Sequence, residues 1–107
     1  MSGGADAGVV YEVNLDVESM IADDYRAWLR THMSQMLALP GFVSAELFDV
    51  VEPADDGRVA WAVQYRLRDA AALAAYLHEH APRMRADGAA RFGERFLASR
   101  RVLRPSV

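Results

Sequence analysis

The chain has 107 residues and a mass of 11.9 kDa, is 52% hydrophobic and 25% charged, and carries a net charge of −3. That size predicts a single domain burying about 60–70% of its extended surface. It contains no cysteine, which excludes disulfides and thiolate metal sites.

No apolar run approaches the ~18 residues that cross a bilayer, and the N-terminus lacks the basic start and apolar core of a secretory signal. There is no basic tail or basic-aromatic stripe of the kind that binds nucleic acid. The expectation is a cytoplasmic protein that engages neither membrane nor nucleic acid. Charge is unevenly spread: residues 1–57 hold eleven acidic residues and two Arg, and residues 58–107 hold ten Arg and four acidic residues. Either the second half presents an anion-binding surface, or the halves pair with each other within a subunit or across a dimer interface; the second is favoured. All twelve strongly basic residues are Arg, which reads as a compositional bias.

Residues Met1 to Gly8 are small and acidic and read as a loose tail. From Val9 to Val17 the chain alternates, placing Val9, Tyr11, Val13, Leu15 and Val17 on one face and Val10, Glu12, Asn14 and Asp16 on the other, as a half-buried strand requires. Ser19 is expected to cap the helix that follows, and Asp23 and Asp24 suit its positive end. Ile21, Tyr25, Trp28, Leu29, His32, Met33, Met36 and Leu37 recur at helical spacing until Leu39-Pro40-Gly41 ends the run. Phe42 to Val51 forms a second strand, Pro53 to Gly57 a turn, and Val59, Trp61, Val63, Tyr65 and Leu67 a third strand, completing a hairpin.

Asp69 opens a second helix, Ala70 to His80, with Leu73, Tyr76, Leu77, His80 and Met84 along one side. Pro82 is expected to kink or restart it. A helical turn through Arg91 and a last strand, Phe96 to Leu103, complete the chain.

Two strand-helix-strand units in this order predict an α+β fold, a ferredoxin-like βαββαβ sandwich with both helices on one face of an antiparallel sheet. The other face is left bare. It is expected to carry Val10, Phe42, Phe48, Ala60 and Ala62 beside Glu12, Asn14, Glu46 and Gln64, with Arg66, Arg100 and Arg101 available to pair the two glutamates. A mixed, partly apolar face of this kind finds a partner, so a homodimer packed sheet on sheet is predicted.

The run Tyr11-Glu12-Val13-Asn14-Leu15, then Trp28-Leu29, His32, Met36-Leu37 and Leu39-Pro40-Gly41-Phe42, resembles a bacterial family of unknown function. That family falls in the dimeric α+β barrel superfamily, which is antibiotic-biosynthesis-monooxygenase-like. The likeness continues through Tyr76-Leu77, Arg83-Met84-Arg85, Arg91-Phe92 and Arg100-Arg101-Val102-Leu103, covering nearly the whole chain after Gly8. It implies the barrel fold, a homodimer and a pocket between the helices and the sheet of each subunit. It does not choose an activity. The superfamily spans cofactor-free quinol monooxygenases, haem-degrading enzymes, haem peroxidases, lactone isomerases, ligand-sensing domains and plain stress proteins.

His32 is the leading catalytic candidate, because its stripe aims it at the layer into which Tyr11, Trp61 and Tyr65 also point. An imidazole there could accept a proton or orient a planar ligand, or could simply be a satisfied core histidine. His78 and His80 lie about 200° apart on a helix and cannot share one metal ion; His80 falls in the apolar stripe and His78 outside it. A haem-degrading relative would want an Asn on strand one, a Trp on strand three and a His on helix two. Asn14, Trp61 and His80 supply those types, but strand parity turns Asn14 away from Trp61. Trp28 and Trp61 are most simply core.

No metal and no cofactor are expected. Two functions stay open. The first is a homodimer binding a small apolar or aromatic molecule, monooxygenase-like, with His32 as the polar group and Tyr11, Tyr25, Trp28, Trp61, Tyr65 and His80 as walls. The second is a non-catalytic dimerisation module whose aromatics only fill the core. A pocket of about 300 Å³ or more reached by His32 favours the first, and a filled layer removes it.

Overall fold

A computed structural model describes residues 8–52 and 57–106. The predicted tail up to Ala7 and the turn residues Pro53 to Asp56 lie outside the described residues. The elements are β1 (Val9–Glu18), a single 3-10 turn (Ser19–Ile21), α1 (Ala22–Leu37), β2 (Phe42–Asp49), β3 (Arg58–Leu67), α2 (Ala70–Glu79), α3 (Ala81–Phe92) and β4 (Phe96–Leu103). The strands form one antiparallel sheet in the order β2-β3-β1-β4. This is the α+β ferredoxin-like sandwich, with a third helix.

The extra helix follows from Pro82. A proline inside a helix has no N–H to donate and its ring blocks the preceding turn, whereas at a helix start it is tolerated. The chain therefore breaks at His80 (φ −124°, ψ −30°) and restarts with Pro82 in the first turn of α3. What reads in sequence as one turn through Arg91 is a helix of 12 residues. Ser19 is likewise not a cap: it lies in the 3-10 turn, and no side chain caps α1. Its backbone N–H instead donates to the Gly57 carbonyl at 2.8 Å, while Asp23 and Asp24 occupy the first turn of α1. Asp69 does cap α2, its Oδ1 accepting from the Ala72 N–H at 2.8 Å.

The alternation read along β1 and β3 sets the core. Tyr11 stands opposite Tyr65, Val13 opposite Val63, and Leu15 opposite Trp61. These side chains face the helices and pack against Tyr25, Leu29 and Met36 of α1, Leu73 and Tyr76 of α2, and Met84 and Phe92 of α3. Each fully buried large side chain contributes about 1.5–3 kcal/mol. In β2 the parity changes. The register slips between Phe42, opposite Leu67, and Ser44, opposite Arg66, so the extra residue Val43 makes a bulge and reverses the facing of what precedes it. Phe42 is thus on the helix side, its ring 5.1 Å from Tyr76 and 5.8 Å from Tyr65, while Phe48, opposite Ala62, stays on the bare face.

The α1–β2 connection needs its glycine. Gly41 has φ +84° and lies so close to α2 that an added Cβ would collide with the Ala72 methyl. Its carbonyl accepts from Arg68 N–H at 2.8 Å, tying the loop to the end of β3. Part of the charge asymmetry is met inside the subunit: Arg58 pairs with Asp16, Arg95 with Glu18 and Arg101 with Glu12, each joining the basic half to the acidic half. No helix among the described residues is long and apolar enough to cross a membrane.

Candidate functional site

Between α1, α3 and the sheet lies a cavity whose wall includes all four tyrosines of the chain, Tyr11, Tyr25, Tyr65 and Tyr76, together with Trp28, His32, Arg85 and Arg100. The apolar part of the wall comes from residues such as Val13, Leu29, Met36, Val63 and Met84. The space open to the centre of a water-sized sphere is about 50 Å³, room for a few waters. The layer is therefore not filled, but it falls short of the ~300 Å³ of a drug-sized pocket.

One side is organised by Trp28. The indole stacks on the His32 ring one helical turn later, with centroids 4.6 Å apart and planes at 19°. Its Nε1 donates to Asp87 Oδ2 of α3 at 3.1 Å. Gly88 makes that approach possible, since a Cβ there would stand 2.9 Å from Trp28 Cη2. On the other side Tyr11 packs against Tyr76 at 5.7 Å and Tyr65 at 6.4 Å, and Arg85 Nη2 donates to the Tyr11 hydroxyl at 2.8 Å.

Electrostatics separate the polar groups. Burial raises the Tyr25 and Tyr65 hydroxyls well above the ordinary phenol range and pushes Tyr76 up to about 12, so all three stay protonated and can only donate or accept hydrogen bonds. Burial also lowers the His32 pKa below its ordinary value, with nearby Arg100 acting the same way and Asp87 opposing. The imidazole is neutral at pH 7. Its Nδ1 is buried and has no hydrogen-bond partner among the described residues, a costly arrangement for a polar atom unless something else meets it.

Of the residues singled out in the sequence, Tyr11, Tyr25, Trp28, His32 and Tyr65 meet at this cavity. Trp61 and His80 do not line it. Trp61 is buried further along the sheet, its Nε1 donating to Asp49 Oδ1 at 3.1 Å, stacked on Tyr25 and overlain by Arg26. His80 sits at the α2–α3 break, where its Nδ1 meets Arg83. Asn14 donates to Glu12 Oε1 on the face opposite Trp61, so Asn14, Trp61 and His80 do not converge.

Sequence reasoning missed Tyr76, Arg85 and Arg100. Tyr76 belongs to the apolar stripe of α2 and was legible there. Arg100 is a correction: it pairs with Val13, so it stands on the helix-facing side, and of the three arginines assigned to the sheet face only Arg101 pairs with Glu12. Arg85 was hidden because its helix begins only after the Pro82 break.

Fold and cavity together define a ferredoxin-like α+β sandwich with a tyrosine-lined recess between helices and sheet. Residues 8–106 match the model of a domain family of unknown function, DUF4286, and the chain belongs to that family. Among solved structures it is similar to a conserved protein from Methanosarcina mazei (TM-score 0.72, 7% identity, covering 99% of this chain and 100% of that one). It is also similar to SnoaB, a cofactor-independent oxygenase from Streptomyces nogalater (TM-score 0.66, 14% identity, 92% and 94%), and to Rv0793 from Mycobacterium tuberculosis (TM-score 0.65, 23% identity, 94% and 97%). At these identities the likeness is one of fold. No curated protein matches the chain.

Proposed function

We propose that the protein is a homodimer whose subunits each bind a small aromatic molecule between helices and sheet and act on it as a cofactor-free monooxygenase. The observation that carries this is the unpartnered Nδ1 of a neutral His32 on the wall of a tyrosine-lined cavity. A quinol fits those groups: its O–H proton passes to His32 Nδ1, the tyrosine hydroxyls orient its oxygens, and the electron-rich anion reacts with dioxygen to give a hydroxyquinone and water. The likeness to a cofactor-independent oxygenase supports the reaction class. At about 50 Å³, against the ~150 Å³ of a cavity that holds benzene, the recess must widen by movement of its walls to admit even one ring.

The test is dioxygen uptake with hydroquinone, alongside thermal stabilisation by the same compound. Wild type is expected to consume dioxygen and to melt at higher temperature with ligand. His32→Ala should remain folded and of unchanged oligomeric state, lose the stabilisation and lose about 10²–10⁴-fold in rate, the span of a general base. If the variant keeps both, His32 has no role. A second reading, a non-catalytic dimerisation module, is favoured by the 50 Å³ volume. It stands if wild type neither consumes dioxygen nor responds to aromatic compounds.

A further inference from the structure

Two arginines on the cavity wall take no part in the proton transfer described above. Arg85 reaches in from α3 to the Tyr11 hydroxyl. Arg100 stands on β4 opposite Val13, on the helix-facing side, and lines the same cavity. Among the described residues neither has a carboxylate within 4.0 Å, whereas Arg26, Arg58, Arg68, Arg95 and Arg101 each do.

Their charge is directed into the cavity. Arg100 acts on His32, Tyr25, Tyr65 and Tyr76, and Arg85 on Tyr76, in each case favouring loss of a proton. The Tyr11 oxygen accepts from Arg85, which leaves its own O–H free to donate to a third group. Two guanidinium forks and one phenolic donor at the side of an aromatic recess lack only an acceptor with two coplanar oxygens. A carboxylate matches a guanidinium in that way, and a charge-assisted bond of this kind is about twice as strong as a neutral one.

We propose that the ligand is a small aromatic carboxylate, its ring among the tyrosines and its carboxylate held by Arg85, Arg100 and the Tyr11 hydroxyl. This deepens the function proposed above and rests on the cavity being a ligand site. The substrate class narrows to single-ring aromatic acids, and within the monooxygenase reading to quinols that carry a carboxylate. No Asp or Glu lines the cavity to repel such an anion.

Isothermal titration of the full chain with benzoate and with its neutral isostere benzamide tests the proposal. Benzoate should bind about 10-fold or more tighter than benzamide, the worth of a hydrogen bond to a charged group. Arg85→Gln and Arg100→Gln should each cost most of that advantage, weakening benzoate far more than benzamide, which loses at most a neutral hydrogen bond. Both side chains belong to exposed residues, so the variants should fold, and unchanged melting temperatures check this. Tyr11→Phe should weaken benzoate binding severalfold. Equal binding of the two compounds, or variants that retain the preference, overturns the carboxylate assignment and leaves the aromatic cavity standing. Acetate binding as tightly as benzoate overturns the aromatic part. Failure of every compound to bind overturns the proposal together with the cavity as a ligand site.

Discussion

Glu12 is a buried carboxylate on the sheet face that no helix covers. It is only 4% exposed, because neighbours on three strands close over it: Arg101 Nε at 2.6 Å and Asn14 Nδ2 at 3.1 Å donate to Oε1, and Gln64 Nε2 at 2.9 Å donates to Oε2. The Arg101 bond and then the Gln64 bond hold its pKa down to about 2 from an ordinary 4.5, against the opposing effect of burial. A depressed carboxyl pKa contributes stability that is complete above the unfolded value and lost as pH falls toward the folded one. The window here runs from about 4.5 to about 2. Arg101 is 65% exposed, so solvent screening reduces the contribution to about 1–2 kcal/mol. Glu12→Gln should therefore lower stability at pH 7 by about that amount and flatten the acid limb of a melting profile; wild-type and variant curves that fall in parallel would refute it. His32 adds a second limb. Its folded pKa lies below the ordinary 6.5, so the unfolded chain takes up the proton first and stability declines as pH drops through 6.5. His32→Phe should remove that decline, read from melts between pH 8 and pH 5.

At the scale of elements, α3 is where local preference and packing disagree. A glycine inside a helix costs about 1 kcal/mol relative to alanine, yet Gly88 occupies the middle of α3. The disagreement is resolved by Trp28, whose ring fills the space a Cβ would take. Gly88→Ala should accordingly destabilise instead of stabilising, by about 1–2 kcal/mol once overpacking outweighs the gained propensity. It should also shift the Trp28 emission, measured in a Trp61→Phe background, as the indole leaves His32. A gain in stability with unchanged emission would show that Trp28 yields freely. The bulge at Val43 acts in the same way on β2, moving one aromatic, Phe42, into the core without altering the residues that follow it.

For the whole molecule, the homodimer proposed above rests on the uncovered sheet face. A trough 540 Å³ in volume includes Asn14, Ala60 and Ser99 between Val50 and Leu97, and Leu97 remains 63% exposed beside it. Small residues flanked by large apolar ones make a surface that can interlock with a copy of itself. Wild type is expected to sediment at twice the 11.9 kDa chain mass, and Leu97→Asp should shift it to the monomer while the fold is retained. A monomeric wild type would end the dimer proposal. The same face carries the Glu12 network, so dissociation, by leaving Arg101 open to solvent screening, should also flatten the acid dependence described for that residue.

Strand order along the chain, the faces of β1 and β3, the start of α2 at Asp69 and the aromatic stripe of α1 were determined by the sequence alone, because period-2 and period-3.6 patterns are local and survive without knowledge of neighbours. From them the ferredoxin-like sandwich follows, and so does the meeting of Tyr11, Tyr25, Trp28, His32 and Tyr65. Tertiary structure decided the rest. The bulge at Val43, the length of α3 after Pro82, and the removal of Trp61 and His80 from the cavity depend on contacts between distant residues. The cationic side of the site depends on them most: Arg100 is aimed by its pairing with Val13 and Arg85 by the packing of α3, and no spacing within the chain reports which way an arginine points.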